Sequence, residues 1–270
     1  MKEFVSLLAI YKWSLPASTI MAGALCLIGA QWTAREKSSQ IFVLGQGSSL
    51  GIVLGLVLNI LMGTDFHWLS LAGGLGVGAI TLALSDLMIQ RKSDRNHIYL
   101  TLFVLFLSLT YLMTSLTPSL ESHMAAAYFG DLAVMSDNAA IISMIAAIAF
   151  IVFMLSSWRA LTQISFQLVN QSWIHRDWKN RIFDIGTLII TTLAIQSMGY
   201  LFTMGSLFIA TSFASQRSRN LNSYTQRVLI ISVLGCLLGF MISLLSTNLP
   251  TVPCVMLGQI LVGMISYAKK

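Results

Sequence analysis

From Ile41 to Met62 the chain carries no charged residue, and similar stretches recur along its whole length. The core of a bilayer holds no water. Only segments that satisfy their own backbone, as helices do, can cross it. About 20 apolar residues wound as a helix cover the roughly 30 Å involved. Spans are expected at about Leu15–Ala34, Ile41–Met62, Trp68–Ile89, His97–Thr117, Ala139–Ser157, Val228–Thr247 and Thr251–Ala268. Two shorter runs, Ile182–Met198 and Tyr200–Ser215, meet at Gly199 and read either as two short spans or as one span with a re-entrant piece. Only 10% of the residues are charged and mean hydropathy is +0.78, where a soluble domain carries about 25% charge. The fold class is therefore all-α: a polytopic integral membrane protein with eight or nine transmembrane helices. Residues 1–270 form one transmembrane domain, with no soluble domain attached and no convincing repeat. Glu3–Trp13 is amphipathic and reads as an interfacial helix, not a cleavable signal peptide. Ser119–Asn138 reads as a mildly polar connection with a short helix broken at Gly130.

Charge orients these spans. With the amino end outside and nine crossings, Arg35, Lys37, Arg91, Lys92, Arg95, Arg159, Arg176, Lys179, Arg181, Arg217, Arg219, Arg227, Lys269 and Lys270 all fall inside. That is fourteen of the 16 basic residues, as the bias of Lys and Arg toward cytoplasmic loops requires. Topology thus accounts for the net charge of +6 without invoking nucleic acid. The outer loops hold Asp65, Glu121, Asp131 and Asp137 with His67 and His123, and no Lys or Arg. Asp65, His67, Glu121 and His123 are candidate outer cation contacts on an anionic face. As ordinary solvated loop residues they need no such role.

Gly47, Gly51 and Gly55 repeat every four residues in the second span. Small residues at that spacing let two helix backbones approach closely. The pairs Gly74 with Gly78 and Gly235 with Gly239 are weaker versions. Cys26, Cys236 and Cys254 lie in separate apolar runs and read as packing residues. The middles of the spans carry no Asp, Glu, Lys or Arg, whereas a proton-coupled transporter needs an ionisable group at membrane depth. No phosphate-binding loop and no paired-histidine motif occurs, so neither ATP hydrolysis nor zinc proteolysis belongs to this chain, and no cofactor is expected. Ser48, Ser49, Asn59, Thr191, Thr192, Gln196, Thr203 and Ser206 could line a hydrated path, but such groups more often hydrogen-bond between helices.

The stretch Trp158–Arg181 is too basic and polar to cross the bilayer, since each buried Arg or Lys costs about 2.5–3.5 kcal/mol. Leu161, Ile164, Phe166, Leu168 and Trp173 recur in it at helical spacing. It is expected to be a cytoplasmic loop bearing a helix, either docking a partner or lying on the lipid surface.

Six short motifs then appear in a fixed order: Gly29 through Arg35; Leu50-Gly51-Ile52-Val53-Leu54-Gly55; Phe129-Gly130-Asp131; Trp158-Arg159 with Ser165-Phe166; Gly199-Tyr200-Leu201 through Ala210; and Leu249-Pro250-Thr251. From about Met21 to Gly263 the chain resembles the permease subunits of bacterial ABC importers for zinc and manganese. The resemblance implies a homodimer in the bacterial cytoplasmic (inner) membrane, an ATP-binding subunit docked on the inner face and an extracytoplasmic solute-binding protein outside. Residues 158–181 become the coupling loop, with Ser165, Phe166 and Leu168 as its contacts to the ATPase. The family's second-span Asp and His, and the Pro after them, fall on Phe42, Gln46 and Leu50, so no metal ligand carries over. Ser-Phe-Asp becomes Ser165-Phe166-Gln167, a later Pro becomes Ala210, and the Gly after Pro-Thr becomes Val252. No high-affinity metal site is expected inside the permease. The alternative reading is a diverged, non-transporting membrane scaffold. An energy-independent channel has less support, because no charged ring or filter motif occurs.

The orientation is testable. A reporter fused after Lys270 should be cytoplasmic, and a cysteine placed at Ser122 should react with an impermeant maleimide in intact cells. Labelling only after lysis would invert the topology.

Overall fold

The computed structural model describes residues 11–63, 66–89, 95–117, 128–130, 132, 135–169, 178–216, 218, 220–245 and 249–268. Within them lie nine α-helices: α1 Ser14–Ala34, α2 Ser38–Met62, α3 His67–Ile89, α4 Arg95–Leu116, α5 Asp137–Val169, α6 Trp178–Met198, α7 Tyr200–Ser215, α8 Leu221–Leu245 and α9 Thr251–Ala268. Eight are long and apolar enough to cross a membrane, and α7, with 16 residues, is shorter. At 1.5 Å per residue α7 covers about 24 Å. Gly199 alone separates it from α6, at φ 92°.

Helix α1 runs through the middle of the bundle: 78% of its spanning stretch is buried, against 22% for α4 at the periphery. Its sequence explains the position. Ala17, Ala22, Gly23, Ala24, Cys26, Gly29 and Ala30 give it a narrow waist on several sides. A Cβ added at Gly29 would stand 1.9 Å from the Leu207 carbonyl oxygen, so α7 crosses α1 almost backbone to backbone. The periphery is apolar as well: Ile80, Leu100, Val104, Leu105, Ile145, Val152 and Leu155 are exposed. In lipid that exposure costs nothing, so association rests on close packing and not on hiding apolar surface.

Helix α2 lies against α3 through its glycines. A Cβ at Gly51 would meet the Gly73 carbonyl oxygen at 2.2 Å, one at Gly55 the Leu69 oxygen at 2.5 Å, and one at Gly47 the Thr81 Oγ1 at 2.2 Å. The α8–α9 hairpin packs equally tightly through Gly235, Gly239 and Gly258, which four-residue spacing alone had ranked lower.

Contacts between helix ends define two faces. Arg35 meets Ser165 and Asp184, and Gln40 donates to Ser85 Oγ at 2.6 Å, at the end that carries the basic loops. At the other end Gln196 donates to Ser70 Oγ at 3.0 Å and Leu132 N–H to Thr251 Oγ1 at 3.1 Å. All nine helices alternate between these faces. Near the outer end Gly130, at φ 65°, and Gly199 touch: a Cβ on Gly199 would meet the Gly130 nitrogen at 2.6 Å. Both positive φ and contact require glycine here.

The span expected to stop at Ser157 continues without a break to Val169. Its 33 residues measure about 50 Å, well beyond the roughly 30 Å hydrocarbon core. Trp158, Leu161, Ile164 and Ser165 form a buried stripe on this extension, and that stripe keeps it helical. Of the expected loop 158–181, residues 170–177 lie outside the described residues and Trp178 already opens α6. Most of Glu3–Trp13, expected to be an interfacial helix, and most of Ser119–Asn138 also fall outside them.

Gly51→Leu forces its side chain into the α3 backbone, which cannot rotate away. It should lower stability by at least the ~1–3 kcal/mol typical of overpacking, read as thermal unfolding in detergent. An unchanged midpoint would mean that α2 and α3 are not in contact there.

Candidate functional site

At the inner end, α1 closes with a Schellman turn. Lys37 N–H donates to the Trp32 carbonyl at 3.1 Å and Glu36 N–H to that of Thr33 at 3.0 Å. The left-handed position normally given to glycine is Glu36, at φ 57°. The turn points Arg35 back into the bundle, where its side chain is 3% exposed. Arg35 Nε donates to Ser165 Oγ on α5 at 3.0 Å, and Nη1 lies 3.5 Å from Asp184 Oδ1 on α6. Its guanidinium stands over the Phe183 ring, 4.4 Å from the centroid. Ser165 donates to Gln31 Oε1 at 2.9 Å, and Asn180 donates to Asp184 Oδ2 at 3.1 Å. Burial lowers the Arg35 pKa and Asp184 offsets part of the drop, leaving it at about 10, so the guanidinium remains a cation at neutral pH. One buried charge thus joins the inner ends of α1, α5 and α6.

This arrangement separates the three residues expected to contact an ATPase. Ser165 is buried and committed to Arg35 and Gln31. It holds the end of α5 in place and is not itself available to a partner. Phe166, one residue on, is 70% exposed, Leu168 is half-buried and Val169 exposed. Arg35, read from sequence as one more inner basic residue, proves to be the centre of the cluster. The only signal in the sequence was a pair of opposite charges, Arg35 and Asp184, each at the inner margin of a span.

A second constellation lies between α2 and α7. On α2, Phe42, Gly45, Gln46 and Ser49 share one stripe at spacings of three and four. On α7, Tyr200, Met204 and Phe208 share another and face it. The Phe42 and Phe208 rings stack at 4.3 Å, 10° from parallel. Gly45 gives room to the Met204 methyl and the Tyr200 ring. The Gln46 side-chain N–H donates to the Tyr128 hydroxyl, and the Tyr128 and Tyr200 rings lie 5.7 Å apart. Of these residues the sequence points to Phe42 and Gln46, as places where metal ligands are missing, to Ser49 as a mid-span polar group, and to Tyr200 as part of the Gly199-Tyr200-Leu201 motif. Nothing in the sequence marks Tyr128 and Tyr200 as neighbours.

The other mid-span polar groups act mainly as links within and between helices. Thr192 donates to Ser48 Oγ at 3.2 Å, Gln259 to Ser206 Oγ at 3.2 Å and Thr203 to the Gly199 carbonyl at 2.9 Å. Cys26, Cys236 and Cys254 are buried and unbridged. Asp65, Glu121 and His123 lie outside the described residues, as does the His67 side chain, although its backbone opens α3. Among the described residues no three His, Cys, Asp or Glu side chains gather as a metal site would require.

The family model described as the ABC 3 transport family matches residues 9–270. No curated protein matches the sequence. Among the solved structures that share the fold are the following two. PsaBC from Streptococcus pneumoniae, in complex with Fab, aligns with 99% of this chain and 95% of its own at TM-score 0.77 and 17% identity. An inward-facing conformation described as a metal-chelate type ABC transporter aligns with 95% of this chain and 86% of its own, at TM-score 0.70 and 16% identity.

The Arg35 cluster has an asymmetric response to mutation. Asp184→Ala leaves a buried guanidinium with no carboxylate within ion-pair distance among the described residues, and breaking a buried pair this way costs about 3–5 kcal/mol. Asp184 is 38% exposed and water screens the pair, so the loss should fall at or below the low end of that range. Adding Arg35→Met removes the stranded charge and should restore part of the loss. A double variant whose loss equals the sum of the Asp184→Ala and Arg35→Met losses, by thermal unfolding in detergent, would mean that the pair is not coupled.

Proposed function

The chain belongs to the ABC 3 transport family, and we propose that it is the permease of an importer for divalent metal ions of the zinc or manganese type. As a member of this family it is a membrane subunit and not the ATPase. The observation that carries the reading is the match of the family model to residues 9–270. The likeness in fold to PsaBC over nearly both chains is in keeping with it. In this reading two copies form the path across the bacterial inner membrane, an external binding protein delivers the cargo, and a separate ATP-binding subunit docks on the inner face.

The end of α5 supplies what such docking needs. Helix α5 extends past the bilayer as a rigid rod, Arg35 and Ser165 fix it to α1 and α6, and Phe166 stands exposed at its tip. A force applied to Phe166 would pass through the Arg35 cluster into α6, whose far end leads through Gly199 into α7. Phe166 and Leu168 are thus the proposed coupling contacts, with Ser165 holding them in place. Asp65, His67, Glu121 and His123 remain proposed cation contacts on the outer face.

The second reading is a diverged scaffold without transport, favoured by the pair Phe42 and Gln46 at the positions where the family resemblance puts Asp and His. An ATPase and a binding protein encoded beside this chain would favour the importer.

Phe166→Ala should weaken binding of the ATP-binding subunit while leaving membrane insertion intact, since burying a Phe contributes roughly 1.5–3 kcal/mol. Lys179→Ala, on a residue at the headgroup level, should change binding far less. Co-purification of the two subunits measures both, and equal losses would shift the docking surface toward α6.

A further inference from the structure

Three buried oxygen atoms on or beside the facing stripes of α2 and α7 have no hydrogen-bond partner among the described residues: Gln46 Oε1, Ser49 Oγ and the Tyr200 hydroxyl. Gln46 and Ser49 are fully buried. Elsewhere in the bundle most buried hydroxyls donate to a carbonyl one turn back or to a side chain on the next helix. Unpaired buried polar atoms are costly and ask for an explanation; of the several among the described residues, these three lie on the facing stripes of α2 and α7 beside stacked rings, which points to a guest that completes them. The walls around them are rings: Tyr128 beside Tyr200, and Phe42 stacked on Phe208 one turn further in, with Met204 between. Phe42 is 37% exposed, so the lower ring pair can be reached.

We propose that Gln46, Ser49, Tyr128 and Tyr200, closed below by the Phe42–Phe208 stack, form a cargo site that takes the metal as a neutral organic chelate and not as a bare cation. The proposal rests on the importer reading and narrows its substrate class. The donor set argues for it. An amide and three hydroxyls supply neutral dipoles, and among the described residues no three His, Cys, Asp or Glu side chains gather as a metal ligand set. A bare dication here would be an uncompensated charge in a low-dielectric wall, and transition metals select nitrogen, sulfur or carboxylate ligands. A chelate carries its own ligands and has little net charge. Its carbonyl, hydroxyl and amine edges match the unpaired Gln46, Ser49 and Tyr200 groups, and its planar faces match the rings. In the structure the Gln46–Tyr128 hydrogen bond and the Phe stack close the site; passage of a chelate requires both to open.

The test uses the permease co-purified with its ATP-binding subunit in nanodiscs and two probes, the neutral 1:2 zinc–histidine chelate and zinc chloride, titrated by calorimetry with histidine alone as the blank. The chelate should bind once per permease, zinc chloride should give no stoichiometric binding, and Tyr200→Phe and Gln46→Leu should each weaken the chelate about tenfold or more. Tyr200→Phe removes one hydroxyl and keeps the ring, so folding is retained, and the thermal midpoint of each variant checks this. Three results would overturn the proposal: no binding of the chelate, chelate binding unchanged in both variants, or stoichiometric binding of free zinc that Gln46→Leu abolishes. Failure of the subunits to co-purify at all would instead count against the importer reading.

Discussion

Helices in a bilayer do not gain by hiding apolar surface from one another, so this bundle depends on how closely its backbones approach. The pairs that hold it are those where a side chain is missing: Gly51 on Gly73, Gly29 on Leu207, Gly239 on Cys254 and Gly130 on Gly199. Each brings a carbonyl or amide of one segment to the van der Waals surface of another, where dispersion acts over many atoms. Helix α1 can sit at the centre because its small residues leave neighbours room on several sides. Helices α3 and α4, bulkier outside, keep one face to lipid.

On that packed frame polar groups do two kinds of work. Most link helices or fold back on their own, as Thr192 with Ser48 and Gln196 with Ser70 do. The Arg35 cluster joins three helix ends around one buried guanidinium. Its cost is borne by Asp184, Ser165 and the Phe183 ring together. Other polar groups keep a buried atom without a partner among the described residues, and three of these, on Gln46, Ser49 and Tyr200, lie on the facing stripes of α2 and α7.

These two polar centres are connected. Helix α6 starts at the Arg35 cluster and ends at Gly199, where α7 turns back with Tyr200, Met204 and Phe208 on its inner stripe. A rigid helix joining a cytoplasmic anchor to a ring-lined site is the kind of element through which docking on one face can bias an opening deep in the membrane. The close contact of Gly130 with Gly199 fixes the turn between α6 and α7, since neither residue could carry a side chain there.

The sequence by itself determined the class, the approximate positions of the spans and the gathering of Lys and Arg at one end of the bundle. These follow from costs that accumulate residue by residue along a stretch, and from the placement of Lys and Arg in the loops, with no need to know what touches what. It also exposed the glycine register at Gly47, Gly51 and Gly55, because helical spacing is local. Only the tertiary structure decided that α5 runs on to Val169, that Ser165 turns inward while Phe166 turns outward, and that Tyr128 and Tyr200 converge on Gln46. In lipid both faces of a helix are apolar, so periodicity carries little sign of which one packs. Arg35 and Ser165 stand 130 residues apart, and a hydrogen bond between them exists only once three helices have found one another.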